Sequence, residues 1–132
     1  MKTISQTIIL KASPHVLYEI FMDSDKHTVV TSAEANIGRK VGDKFSCHGG
    51  WVHGENIELV KDKKIVQKWR GKDWPKEHYS LLTIEFLGLK GKKNEKCKVK
   101  LTHKDVPDKY ADMIDKGWHE HYWNKIKKFL GE

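Results

Sequence analysis

The last part of the chain contains the feature that most restricts its fold, a long helical repeat of apolar residues. After Pro107 these residues recur at spacings of three and four, at Tyr110, Met113, Ile114, Trp118, Tyr122, Ile126, Phe129 and Leu130. The pattern predicts one amphipathic helix from about 108 to 130, roughly 34 Å long at 1.5 Å per residue. Such a helix needs a broad apolar surface to cover its buried stripe, and the preceding segments must supply it.

Those preceding segments favour β-structure with two short helices near the start. Residues 3–12 alternate imperfectly between apolar and polar, which predicts a first strand. Ser13-Pro14 then provides a cap and a first helical position, predicting a helix that ends near Met22. Asp23 caps a second stretch, which is too rich in β-branched residues for more than a brief helix.

The middle of the chain predicts a series of antiparallel strands. Glycines between 38 and 54 separate short apolar pieces, and residues 56–60 and 65–70 flank a polar turn. Residues 80–87 and 95–103 form a second pair, and the latter alternates between lysine or threonine and buried-type residues, as expected for a sheet with one solvated face. We therefore expect an α+β fold over 1–132 as a single domain, in which an antiparallel sheet packs against the long C-terminal helix.

Charge and composition limit the classes of partner. The net charge is +7, but Arg39 and Arg70 are the only arginines, and lysine is a poor match for the bidentate contacts of base recognition. Nucleic-acid binding is therefore disfavoured. The lysines from Lys90 to Lys100 favour protection of a strand edge over an anionic partner. The longest apolar runs are too short for a membrane span and no secretory signal is evident, so a cytoplasmic protein is predicted.

Motifs for catalysis and metal binding are weak. Cys47 and Cys97 are predicted to be buried free thiols, and the grouping of Cys47 with His48 and His53 matches no standard zinc spacing. The sequence has no nucleophile or nucleotide motif, and Glu55 and Glu85 are the nearest acid–base candidates. We predict a non-enzymatic protein with no metal and no cofactor.

Three linked motifs carry a resemblance to a known family. Residues 65–70 (Ile-Val-Gln-Lys-Trp-Arg), Trp74-Pro75, and residues 117–123 (Gly-Trp-His-Glu-His-Tyr-Trp) resemble the C-terminal-type domain of the activator of the Hsp90 ATPase. The order of strands and helices is similar to that of the START-like helix-grip superfamily, which implies a curved antiparallel sheet wrapped around the long C-terminal helix. The resemblance implies an apolar cavity between the sheet and the last helix, and a chaperone of the Hsp90 type as a partner.

These considerations lead to one leading hypothesis and two alternatives. The leading hypothesis is a binding domain that takes a small apolar ligand in the cavity, a chaperone-type protein on its surface, or both. The alternatives are a cavity enzyme of the cyclase or hydrolase type, and binding of an anionic partner or nucleic acid through surface lysines. The predicted cavity residues are Phe21, Phe45, Trp51, Trp69, Leu82, Ile84, Val99, Ile114, Trp118 and His121, and the predicted partner surface contains Trp74, Lys92 and Lys93.

Overall fold

A computed structural model describes residues 1–89 and 95–132 of the chain. Within these residues seven strands form one antiparallel sheet in the order β1-β7-β6-β5-β4-β3-β2. Their bounds are β1 Lys2–Leu10, β2 Asn36–Ile37, β3 Lys44–Cys47, β4 Val52–Val60, β5 Lys64–Gly71, β6 Ser80–Leu89 and β7 Lys96–Val106. The two predicted hairpins are confirmed as β4–β5 and β6–β7.

Two short helices follow β1, as the caps predict. Helix α1 (Pro14–Met22) begins where the Ser13 hydroxyl accepts a hydrogen bond from the backbone N–H of Val16 at 3.2 Å. Helix α2 (Ser24–Thr31) begins in the same way, because the Asp23 carboxylate accepts from the N–H of Lys26 at 3.0 Å. Each side chain satisfies a backbone donor that the first helical turn leaves free.

The predicted C-terminal helix is present but is not uniform. It comprises α3 (Asp108–Gly117), a π-helical segment (Trp118–Trp123) and α4 (Asn124–Phe129), which together form a continuous helix of 22 residues. The wider π turn changes which side chains share a face, so Trp118, Tyr122 and Trp123 are all buried. We refer to residues 108–129 as the C-terminal helix.

The buried side of the sheet and the helices share one apolar core. Trp123, Leu10, Leu17, Ile65 and Ile126 are at most 1% exposed. Gln6 on β1 connects sheet and helix directly, because its amide oxygen accepts from the Trp123 indole N–H at 2.7 Å and its amide nitrogen donates to the Asp115 carboxylate at 2.6 Å. The C-terminal helix is thereby held along the sheet.

Strand β7 occupies an interior position in the sheet, between β1 and β6. Its Cys97, Val99, Leu101 and His103 side chains are buried and its lysines face outward, which confirms the predicted alternation. Both cysteines are buried free thiols, also as predicted. The interpretation of the Lys96–Lys100 lysines as edge protection is wrong, because the edges of this sheet are β1 and β2.

Candidate functional site

The three sequence motifs meet in space and, together with Trp51, form a cluster of four indole rings, the tryptophan cluster (Trp51, Trp69, Trp74 and Trp118). The Trp69 ring lies at its centre, with ring centroids 5.4 Å from Trp74, 6.2 Å from Trp118 and 6.4 Å from Trp51. Aromatic pairs at such distances add to stability beyond the area that they bury. Each of the three motifs therefore contributes one ring to the same packed cluster.

Arg70 and Gly71 at the end of β5 hold Trp74 in this cluster. The Arg70 guanidinium donates to the carbonyl oxygens of Trp74 at 2.8 Å and Gly71 at 3.1 Å. A Cβ atom on Gly71 would lie 2.7 Å from the Trp74 indole nitrogen and 2.8 Å from a Trp51 ring carbon. Only glycine leaves enough room for both rings at this position.

A cavity of about 310 Å³ opens between the β4–β5 strands and the C-terminal helix. This volume is at the lower end of the range for small-molecule sites. Apolar and aromatic groups form most of the wall, and His48, Glu120, His121 and Tyr122 provide its titratable side chains. The residues that line it are His48, Trp51, Val52, Trp69, Met113, Ile114, Gly117, Trp118, Glu120, His121 and Tyr122.

Two of the cavity's indole N–H groups already have protein partners. The Trp51 indole donates to the Asp73 carboxylate at 3.1 Å, and the Trp118 indole donates to Nδ1 of His103 at 3.2 Å. These two hydrogen bonds hold the wall in place, so the two N–H groups do not point to a ligand. A polar end of a bound molecule would instead meet His48, His121 or Glu120.

The Tyr122 hydroxyl connects the cavity wall to the interior. It lies 3.0 Å from Nε2 of His27 and 3.1 Å from Nε2 of His48. A tyrosine hydroxyl has one proton, so it donates to one imidazole and accepts from the other. His27 is 3% exposed, and its Nδ1 has no hydrogen-bond partner among the described residues. The hydroxyl is thus the polar contact that holds both rings.

Burial controls the protonation states of His27, His48, Tyr122 and the nearby Cys47. It lowers the pKa of His27 to about 4, and it also lowers that of His48 to about 4, with a further contribution from the nearby His121. Burial likewise raises the pKa of the Cys47 thiol to about 12 and that of Tyr122 well above its ordinary value. At neutral pH all four groups are uncharged, which suits an apolar cavity wall.

His103 lies behind the tryptophan cluster, and both of its ring nitrogens have hydrogen-bond partners. Because the Trp118 indole donates to Nδ1, the ring proton is on Nε2, which donates to the Ser80 hydroxyl at 2.7 Å. Ser80 in turn donates to the Trp69 carbonyl oxygen at 2.7 Å. Burial lowers the pKa of His103 to about 3. This histidine positions the cluster and does not line the cavity.

The predicted cavity residues divide into three groups in the structure. Trp51, Trp69, Ile114, Trp118 and His121 line the cavity. A second void of about 20 Å³ deeper in the core is lined by predicted residues that include Phe21, Phe45, Leu82 and Ile84. Val99 is 1% exposed and lines neither space. The prediction that Phe21, Phe45, Leu82, Ile84 and Val99 line the cavity is therefore corrected: the first four lie around the small void, and Val99 is packed in the core.

The structure also differs from the prediction of a partner surface that contains Trp74. Trp74 is 3% exposed, so its ring belongs to the tryptophan cluster and does not face a partner. Lys92 and Lys93 lie outside the described residues. Tyr122 lines the cavity but was not among the predicted cavity residues. Its helical spacing from Trp118 was visible in the sequence, but the link to His27 and His48 joins segments far apart in the chain.

Residues 1–89 and 95–132 contain no group of three or more histidine, cysteine, aspartate or glutamate side chains placed to share a metal ion. Across the same ranges no helix is both long enough and apolar enough to cross a membrane.

Comparison with solved structures supports both the fold and a family assignment. An HSP90 activator from Plasmodium falciparum is 32% identical to this chain and matches 99% of it and 97% of the solved chain, with a TM-score of 0.90. CalU16 from Micromonospora echinospora has the same fold at 14% identity, with a TM-score of 0.72 over 98% of this chain and 73% of its own. These matches confirm the predicted helix-grip fold.

Sequence relatives support the same family assignment. The chain is 32% identical over 129 residues to the human protein named activator of 90 kDa heat shock protein ATPase homolog 1, and 31% identical over 119 residues to the Hsp90 co-chaperone AHA1 of Saccharomyces cerevisiae. These alignments cover 98% and 87% of this chain but 36% and 33% of the relatives, so the chain spans about a third of their length. The model of the family described as activator of Hsp90 ATPase homolog 1-like protein matches residues 11–131, and the chain belongs to that family.

Proposed function

We propose that this chain is a co-chaperone-type binding domain that associates with a chaperone of the Hsp90 type and raises its ATPase activity. The observation that carries the proposal is the match to the Plasmodium HSP90 activator, because the two chains superpose over nearly their whole lengths at 32% identity. The relatives that are longer are also named as activators or co-chaperones. The same proposal retains the prediction of a cytoplasmic protein without enzymatic activity of its own.

Association is tested with purified proteins. Isothermal titration calorimetry of the chain into the Hsp90-type chaperone of its source organism is expected to give a saturable signal with defined stoichiometry. Sedimentation velocity of the mixture should show the matching complex. Absence of both signals, with the chain folded by circular dichroism, would contradict the proposal.

A second candidate function is carried by the cavity itself. We infer that the space between β4–β5 and the C-terminal helix takes a small, flat, apolar molecule with one polar end. Its volume of about 310 Å³ suits a molecule of two or three rings, and its wall is mostly aromatic or aliphatic. His48 and His121 would face the polar end, while Trp69 and Trp118 pack against the rings.

Gly117 offers a matched pair of variants for this second function. Its backbone is helical, and a Cβ atom there would meet only the His121 ring carbon Cδ2, at 3.6 Å. Gly117→Ala therefore keeps most of the cavity, whereas Gly117→Leu fills part of it. N-phenyl-1-naphthylamine fluorescence should increase with the wild type and the alanine variant, and much less with the leucine variant. Equal signals from all three proteins, or none from the wild type, would contradict cavity binding.

A further inference from the structure

The outer face of the sheet has a row of lysines on β7, an interior strand that needs no protection against edge-to-edge pairing. Lys96, Lys98, Lys100 and Lys104 all project from β7 to the solvated side, since the alternate residues of this strand are buried. β7 has hydrogen-bonded neighbours on both sides, β1 and β6. Protection against edge-to-edge pairing therefore does not explain why these positions are lysine.

The strand register shows what lies beside these lysines. One row across the sheet contains Lys68, Leu81 and Lys104, which are directly paired on β5, β6 and β7. The same pairings place Glu85 between Lys64 and Lys100. In a third row Lys98 lies between Leu87 and Ile9, which are 44% and 54% exposed. We call this surface the outer lysine face: Lys64, Lys68, Lys96, Lys98, Lys100 and Lys104 with Ile9, Leu81 and Leu87.

The positive charge of this face is only partly balanced, because Lys96, Lys98 and Lys104 are directly paired with apolar residues. Lys64 forms an ion pair with Glu58 at 3.3 Å. Within residues 1–89 and 95–132, Lys68, Lys98, Lys100 and Lys104 form no ion pair, although the register places Glu55 directly beside Lys68 and Glu85 directly beside Lys100. Like charges on neighbouring positions of one face oppose folding slightly. The face is therefore not explained by the stability of the fold.

We propose that the outer lysine face is the surface that docks onto an acidic surface of the Hsp90-type chaperone. Complementary charge steers two proteins together and sets their orientation. The exposed Ile9, Leu81 and Leu87 side chains between the lysines supply apolar area that an interface can bury. The inference rests on the proposed co-chaperone function and adds the surface that carries it, which lies on the opposite side of the sheet from the cavity.

The make-up of the face favours a protein over a nucleic acid. Strands that bind single-stranded nucleic acid usually offer aromatic rings for stacking, and the paired rows from β5 to β1 contain leucine, isoleucine and threonine between the lysines. The face is also built from lysine, which lacks the fixed fork that suits phosphate and base edges. A partner with carboxylates and some apolar surface fits it better.

Two triple variants of equal charge test the inference. The first is Lys68→Glu with Lys100→Glu and Lys104→Glu on the outer lysine face. The control is Lys26→Glu with Lys116→Glu and Lys128→Glu, at exposed positions on the helices. Both lower the net charge by the same amount, and circular dichroism and urea unfolding verify that both remain folded. Binding to the chaperone is measured by calorimetry at two salt concentrations.

The inference predicts that the sheet variant binds at least about tenfold more weakly, whereas the control stays within about threefold of the wild type. The wild-type affinity should also fall with added salt more steeply than that of the sheet variant. Wild-type binding that both variants weaken equally, or that neither weakens, would overturn this inference and leave the co-chaperone function standing. No wild-type binding to the chaperone would overturn both, and tight binding of oligonucleotide instead would assign the face to nucleic acid.

Discussion

Removal of the Tyr122 hydroxyl tests whether the link between His27 and His48 stabilises the site. In Tyr122→Phe the ring remains and the polar contact to both imidazoles is lost. His48 lines the cavity, so water can replace its lost partner. His27 is 3% exposed, so its Nε2 would lose the Tyr122 hydroxyl and remain buried without a partner. A buried polar group left unpaired costs about 1–3 kcal/mol, and we expect a loss of that size.

The measurement is urea unfolding at pH 7, followed by tryptophan fluorescence and extrapolated to water. The m-value should be unchanged, because the variant exposes the same surface on unfolding. Tyr110→Phe is the matched control, since its hydroxyl donates to the Asp73 carbonyl oxygen at 3.0 Å in a more solvated position. That control is expected to lose no more than about 1 kcal/mol.

A double-mutant cycle separates the link from other effects of the substitution. If the hydroxyl acts through His27, adding His27→Leu to Tyr122→Phe should cost less than the sum of the single variants, with a coupling of about 1 kcal/mol or more. A Tyr122→Phe protein as stable as the Tyr110→Phe control, or costs that simply add, would refute the reasoning.

Two further predictions concern stability. Because the pKa of His27 is lowered to about 4 and that of His103 to about 3, these two histidines take up protons between pH 6.5 and about 4 in the unfolded chain but not in the folded one. Stability should be greatest above pH 6.5 and fall by about 1.4 kcal/mol per pH unit for each histidine as the pH decreases; urea midpoints that are equal at pH 7 and pH 5 would contradict this. The second prediction compares two glycines: Gly117→Ala should stabilise by up to about 1 kcal/mol, since its φ of −59° is helical. Gly54→Ala should destabilise by about 3 kcal/mol or more, because its Cβ would overlap the Lys68 carbonyl oxygen. Thermal midpoints that move in the same direction for Gly117→Ala and Gly54→Ala would contradict this prediction.

The elements that could be predicted from the sequence are those with a strong local pattern. The alternation in β7 gave both the strand and its buried face, and Ser13 and Asp23 located the starts of α1 and α2 through their capping hydrogen bonds. The motif residues Trp69 and Trp118, predicted to lie between sheet and helix, are among the residues that line the cavity. In each case neighbouring residues in the chain contain the information.

The features that could not be predicted depend on contacts between distant segments. The Tyr122–His27 contact spans 95 positions, and the interior position of β7 follows from its pairing with β1 at the other end of the chain. No local pattern marks the π-helical segment, which allows Trp118, Tyr122 and Trp123 to be buried together. The burial of Trp74 likewise depends on Arg70 and Gly71 holding its loop. That residues 1–132 form one domain remains a prediction.

The most direct test of the central claim is the ATPase rate of the chaperone. The steady-state hydrolysis rate of the Hsp90-type chaperone from the same source is measured with increasing amounts of the chain, with a specific Hsp90 inhibitor to subtract background hydrolysis. The account predicts a saturable increase of the rate, which the Lys68→Glu, Lys100→Glu and Lys104→Glu triple variant produces only at higher concentration. A rate that stays constant, although the chain is folded and bound, would contradict the assignment as an activator.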